Sequence, residues 1–271
     1  MIQRKKKSRT KFVYCTLIAA IVFCIFVLCR NPSRPEYSVG QLASAVAEAS
    51  EPMQNSKADG EESMNAAGMP VIIKDFPHIS QKGKYPTGCE SVAAVSLMQF
   101  HGVEITVEEF IDDHLPIAEY PYYEDNVMYG KNPWDAFIGD PYSESGYGCY
   151  STAIIKAMRS AVPQSYGIHA IYNMPLSALC SDYIDKGQPV LIWATMDMQA
   201  PYEGKSWVLP NGETFTFLCP EHALVLIGYD EKSYYFCNPQ SENPVVAYPK
   251  KACETAYHAL HQQAIVMQIV E

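Results

Sequence analysis

Two apolar runs late in the chain constrain its architecture more than any other feature. Pro189 to Thr195 (PVLIWAT) and His222 to Tyr229 (HALVLIGY) are continuous, of strand length, and rich in β-branched and aromatic residues. Runs of that kind belong to the interior of a sheet, not to a half-solvated face. The second run leads through Asp230 to Ser233 into Tyr234 to Cys237 (YYFC), which reads as a hairpin. Further strands are expected at 71–73, 166–172 and 264–270. Helices are expected at 151–162, at 176–186 (stopped by Gly187), and near 250–262. Helices gather early and antiparallel strands late, so the fold class is α+β rather than alternating βαβ.

One early helix has both ends written into the sequence. In Thr87 to Gly102 (TGCESVAAVSLMQFHG), Thr87 and Glu90 have capping-box spacing, and Gly102 stands where a left-handed residue closes a helix. Ala93, Leu97 and Phe100 form its expected buried stripe. Cys89 falls in the first turn, where unpaired N–H groups and the helix dipole favour a thiolate. A cysteine there is a candidate nucleophile, although a lone cysteine is more often a small buried hydrophobe. After Gly102, Thr106 caps a second helix over 107–114. Residues 116–150 and 197–221 show no period. The first of these stretches holds Tyr120, Tyr122, Tyr123, Tyr129, Trp134 and Tyr142, which either wall a cleft or cover core.

The first 70 residues have a different character. Arg4, Lys5, Lys6, Lys7, Arg9 and Lys11 lie in a basic tip (1–11), followed by 18 uncharged, mostly apolar residues from Phe12 to Cys29. That length is enough to cross a hydrocarbon core, and the basic flank orients the N-terminus to the cytoplasm. Val27-Leu28-Cys29-Arg30 lacks the small residues of a signal cleavage site, and Leu28 fits a lipid-modified Cys29 poorly. The expectation is a transmembrane signal anchor (12–29), a flexible linker (30–69) low in aromatic residues, and an extracellular domain (70–271) at the cell membrane.

Residues 71–271 carry 11 Lys and Arg against 24 Asp and Glu. This acidity argues against nucleic-acid binding and tolerates cationic peptides. Cys89, Cys149, Cys180, Cys219, Cys237 and Cys253 allow several bridge patterns that spacing alone does not assign. Cys219-Pro220-Glu221-His222 lacks a second ligand pair for zinc, His258 and His261 do not form a metalloprotease motif, and no phosphate-loop or dinucleotide signature occurs. No cofactor and no metal are expected.

A thiol nucleophile needs a base, and the base needs an orienting partner. His222 opens the first strand of the hairpin and Asn238 closes the second, placing both at one open end, within about three residues of each other. Asn238 can accept the ring N–H and set the tautomer. The Cys89 N–H and the Gln81 side chain are candidate oxyanion donors. These residues carry a resemblance. Gln81, Tyr85-Pro86-Thr87-Gly88-Cys89-Glu90, Pro189 before an apolar strand, Glu221 to Asp230, and Asn238-Pro239 resemble the exported relatives of the bacteriocin leader-processing (double-glycine) peptidases, a branch of the papain-like cysteine peptidases. The resemblance covers about residues 71–270. It implies a papain-like fold with Cys89 as nucleophile, His222 as general base and acid, Asn238 as orienting residue and Gln81 in the oxyanion hole. It also implies a peptide or protein substrate. The family commonly has aspartate where this chain has Asn238. A catalytically silent domain binding peptide or cell-wall material, and acyl transfer to an amine, use the same residues; oligomeric state is left open.

Overall fold

A computed structural model describes residues 69–270. The basic tip, the anchor and nearly all of the linker lie outside the described residues. Among the described residues, no helix is long and apolar enough to cross a membrane.

In chain order the elements begin with β1 (Val71–Ile72), α1 (Cys89–Phe100) and α2 (Val107–Glu109), which continues as a π-turn over Phe110–His114. Short strands β2 (Ile117–Ala118), β3 (Tyr122–Glu124), β4 (Val127–Tyr129) and β5 (Phe137–Ile138) precede α3 (Ser151–Ala161) and β6 (Tyr166–Tyr172). Then come α4 (Leu176–Asp182), β7 (Val190–Thr195), β8 (Tyr202–Val208), β9 (Thr214–Cys219), β10 (Glu221–Tyr229), β11 (Ser233–Cys237), β12 (Val246–Pro249), α5 (Lys250–Ala259) and β13 (Gln263–Ile269).

The main sheet is antiparallel, in the order β12-β11-β10-β7-β13-β6, with β1 added beside the far end of β10. Its central strands β7 and β10 are buried along almost their whole length because both faces are covered. On one face Leu191, Trp193, Ala223, Val225, Ile265 and Met267 share a core with α1 and α3. On the other, Val190, Ile192, Ala194, Leu224, Leu226 and Val266 meet α4 and α5. Burying each such large side chain contributes about 1.5–3 kcal/mol. The helix α1 is therefore not a striped surface helix: every residue from Cys89 to Met98 is buried. This departs from the expected stripe of Ala93, Leu97 and Phe100, and Phe100 is only half-buried. The end of α1 is a Schellman closure, with Val103 N–H to Met98 O (3.0 Å), Gly102 N–H to Gln99 O (3.0 Å) and Gly102 at φ +82°.

Two aperiodic stretches turn out to be structured. Asp125 and Asn126, both at positive φ, make the tight turn between β3 and β4. The Pro210-Asn211-Gly212 turn joins β8 to β9, and β3-β4-β8-β9 form a second sheet. The turn residues in 197–221 are legible in the sequence, but strands only six or seven residues long, half-exposed and interrupted at Gly204, carry too weak an alternation to be read. The aromatic stretch divides. Tyr120, Tyr122 and Tyr129 line a cavity of about 860 Å³, whereas Trp134 packs on the buried Tyr150 at 4.7 Å between ring centres. All six domain cysteines are free thiols.

Candidate active site

Each expected site residue comes from a different element, and backbone bonds lock those elements together. Gln81 sits on the approach loop, which is tied to the end of the hairpin by Gln81 N–H to Pro239 O (2.9 Å) and by His78 to Ser241 O (3.0 Å). Cys89 opens α1. The expected capping box is absent: Gly88 is the N-cap and makes no side-chain bond. The Thr87 hydroxyl instead donates outward to Asp140 O and Ser143 O, pinning the 140–146 loop to the helix entry. Glu90 turns inward, where its Oε1 accepts the Cys149 N–H at 2.6 Å. Trp193 Nε1–H donates to Cys149 O at 2.9 Å, so this loop peptide is held from both sides.

The hairpin brings its two ends together as the spacing predicts. A bulge between Leu226 and Gly228 shifts the register by one, and Val225 faces Cys237. His222 Nε2 then lies 2.8 Å from Asn238 Oδ1. Asn238 Oδ1 also accepts the Gln240 N–H at 2.9 Å, and its amide nitrogen donates to the Tyr248 hydroxyl at 3.0 Å. These bonds fix the amide orientation, so His222 donates from Nε2 and its Nδ1 is the acceptor. That Nδ1 is buried and has no hydrogen-bond partner. Burial holds the imidazole below its ordinary pKa, partly offset by the Asn238 bond and by Asp197.

Gln81, Cys89, Glu221 and His222 line one cavity of about 270 Å³, beside Tyr147, Phe217 and Cys219. Gln81, Cys89, His222 and Asn238 are each no more than 4 % exposed. The larger aromatic cavity includes none of these four. The smaller is the candidate site because the reactive groups converge there.

The site differs from expectation in two respects. The helix N-terminus is expected to lower the Cys89 pKa, yet it is raised well above the ordinary thiol value. Burial is the largest cause, followed by the negative charge of Glu90 and then of Glu221; the Ala223 backbone N–H directed at the sulfur opposes them. The thiol donates to Glu90 Oε2 at 3.2 Å and makes no bond to His222. Gln81, in turn, spends both amide hydrogens on Tyr85 O (3.2 Å) and Pro86 O (3.1 Å), leaving Oε1 unpaired. To donate to an oxyanion it must release one of them.

Glu90 and Glu221 belong to the motifs that carry the resemblance, but the sequence assigns them no chemical role. The Cys89 sulfur and oxygens of Glu90 and Glu221 all lie within 4.8 Å of one another. Both Glu90 oxygens already accept hydrogen bonds, whereas Glu221 Oε1 is buried without a partner. Burial lifts Glu90 to about 7 and Glu221 well above the carboxylic range, with Glu90's charge the next cause for Glu221. Periodicity does not separate these glutamates from capping and strand-end residues. Cys219, the other half of the C-x-x-H spacing, lines the same cavity as His222, while His261 lies against Trp134 and Tyr150.

This chain is similar to known proteins. A solved structure from Bacillus anthracis, described as a C39-like peptidase, superposes with a TM-score of 0.63 at 27% identity, covering 74% of this chain and 98% of that one. The peptidase domain of Streptococcus ComA, a bi-functional ABC transporter, gives a TM-score of 0.43 at 11% identity, covering 72% and 99%. YvpB of Bacillus subtilis (strain 168) is 22% identical over 216 residues, 79% of this chain and 82% of that protein. The sequence model of the Peptidase_C39 like family matches residues 73–265, and this chain belongs to that family of papain-like cysteine-peptidase domains.

Proposed function

We propose that the domain hydrolyses peptide or amide bonds by acyl transfer through Cys89. The reading rests on the buried His222–Asn238 bond (2.8 Å), which leaves Nδ1 as a free acceptor in the cavity that Cys89 lines. In the reaction the thiol leaves Glu90 and passes its proton to His222 Nδ1. The sulfur attacks the substrate carbonyl, and the Cys89 N–H faces the developing oxyanion, joined by Gln81 once one of its amide hydrogens is released. The imidazolium protonates the leaving amine, and the imidazole then activates water to cleave the thioester. The acidic surface fits a cationic peptide. The 18-residue apolar run after six basic residues supports anchoring of this domain at the outer face of the membrane.

The test is Cys89→Ala assayed on a peptide library with product identification by mass spectrometry. Loss of all cleavage with unchanged folding is expected; undiminished cleavage sinks the assignment. One observation favours a second reading, a silent peptide-binding domain: the thiol is bonded to Glu90, not to His222. Under that reading the wild-type protein retains peptides without cleaving them, and Cys89→Ala retains them equally.

A further inference from the structure

Three groups meet where the thiol rests. Glu90 receives the Cys89 thiol at 3.2 Å and the Cys149 N–H at 2.6 Å. Glu221 comes within 4.8 Å of both Cys89 and Glu90, and its Oε1 is buried without a partner. Gly148 makes room for the pair: a Cβ there would stand 2.6 Å from Glu90 Oε1 and 2.9 Å from Glu221 Oε2. Among the described residues, no lysine or arginine bridges to either carboxylate. Two buried carboxyls this close, without a cation, do not both ionise.

We propose that the Glu90–Glu221 pair positions the nucleophile, holding Cys89 as a neutral thiol turned away from His222 and releasing it to His222 when Glu90 gains a proton. The proposal rests on Cys89 being the reactive thiol, as argued above. While Glu90 is ionised it accepts the S–H bond, and a thiolate beside it is opposed by like charge. Once Glu90 is protonated that opposition ends. The thiol proton then moves to His222 Nδ1, giving a thiolate and an imidazolium with no net change in charge. The Glu90 O–H is then a donor toward the sulfur.

The ionisable groups around the pair are Cys89 on α1, Cys149 and Tyr150 before α3, Cys219 at the end of β9, and His222 on β10. The charge of Asp197 also acts on His222. Of these, only His222 can carry positive charge, and only Cys219 and Asp197 reach solvent. The proton count of the two glutamates therefore dominates the state of the sulfur.

The test needs no substrate. Full-length protein is alkylated with iodoacetamide across a pH series, and Cys89 adducts are counted by mass spectrometry, with Cys89→Ala as the blank. Glu90→Gln keeps an acceptor for the Cys149 N–H and removes the charge. It should alkylate about twofold faster at pH 7 and on the order of tenfold faster at pH 8, one unit above the value of about 7 for Glu90, where only about a tenth of the wild type has Glu90 protonated. Equal rates and an unmoved pH profile in a folded Glu90→Gln protein overturn the proposal. Should that variant not fold, infrared spectra of the wild type serve instead. A protonated-carboxyl band that shifts when Cys89 is alkylated supports the pair, and a band indifferent to alkylation rejects it. Because the readout is thiol chemistry, failure to find peptide cleavage leaves it intact, and the converse also holds.

Discussion

Replacing Asn238 by aspartate asks whether this residue sets the electronic state of His222 or merely supports the loop. In the wild type the ring donates to a neutral amide oxygen at 2.8 Å. Such a bond contributes about 1 kcal/mol net, whereas a bond to a charged acceptor contributes about 1.5–3 kcal/mol. The aspartate keeps Oδ1 for both His222 and the Gln240 N–H, and the Tyr248 hydroxyl, which now donates to Asp197 Oδ1 at 3.4 Å, can redirect its proton to the new carboxylate. The gain of about 1–2 kcal/mol applies to the imidazolium alone, so His222 should titrate about one unit higher than in the wild type. The sign follows for stability. Wild-type His222 is depressed below its ordinary 6.5, so its contribution is present above that value and is lost as pH falls through 6.5 toward the folded pKa. Asn238→Asp should shrink that acid loss, and Asn238→Ala should not. The alanine variant instead leaves both ring nitrogens unpaired in a buried site, at about 1–3 kcal/mol. For a domain of this size that is a fall of roughly 2–12 °C in Tm. Proton NMR of the His222 ring, assigned by comparison with His222→Gln, reads the pKa directly. A His222 pKa that stays put or falls in Asn238→Asp refutes the argument that Asn238 tunes the base through this bond.

Two further outcomes test the carboxyl pair through stability. Gly148→Ala puts a methyl group 2.6 Å from Glu90 Oε1 at φ +118°, and is expected to cost about 2–4 kcal/mol from backbone strain and overpacking, measured by urea midpoint. A neutral midpoint shift there means the two glutamates are not held as described. Glu90, lifted to about 7 from its usual 4.5, stabilises the fold fully below pH 4.5 and loses that contribution as pH rises through 7, about 3 kcal/mol in all. Glu90→Gln should flatten this slope in urea titrations run at pH 4.5 and pH 8; an unchanged slope assigns it to other groups.

What the sequence determined by itself is local or strongly patterned. The runs PVLIWAT and HALVLIGY had to be interior strands, and they pair with each other from Glu221 opposite Thr195 to Leu226 opposite Val190. The short Asp230–Ser233 connection forces a hairpin, and a hairpin of that length necessarily sets His222 and Asn238 at the same end. Gly102 closes its helix as written, because only a residue at ease at positive φ does so cheaply. Tertiary structure alone decided what lies beside Cys89. An isolated helix N-terminus lowers a thiol pKa, but that field is worth at most about 2 kcal/mol, and burial beside two carboxyls opposes it more strongly. Thr87 and Glu90 likewise have a capping-box spacing in any sequence. They abandon it here because Asp140 and Ser143 offer carbonyls to Thr87, and the Cys149 N–H, held by Trp193, offers a buried donor to Glu90. Those partners come from about 50 to 60 residues away along the chain and from β7, and no local pattern encodes them. The sequence could name the candidate thiol and its candidate base; whether that thiol rests against the histidine or against a carboxylate is a property of the assembled core.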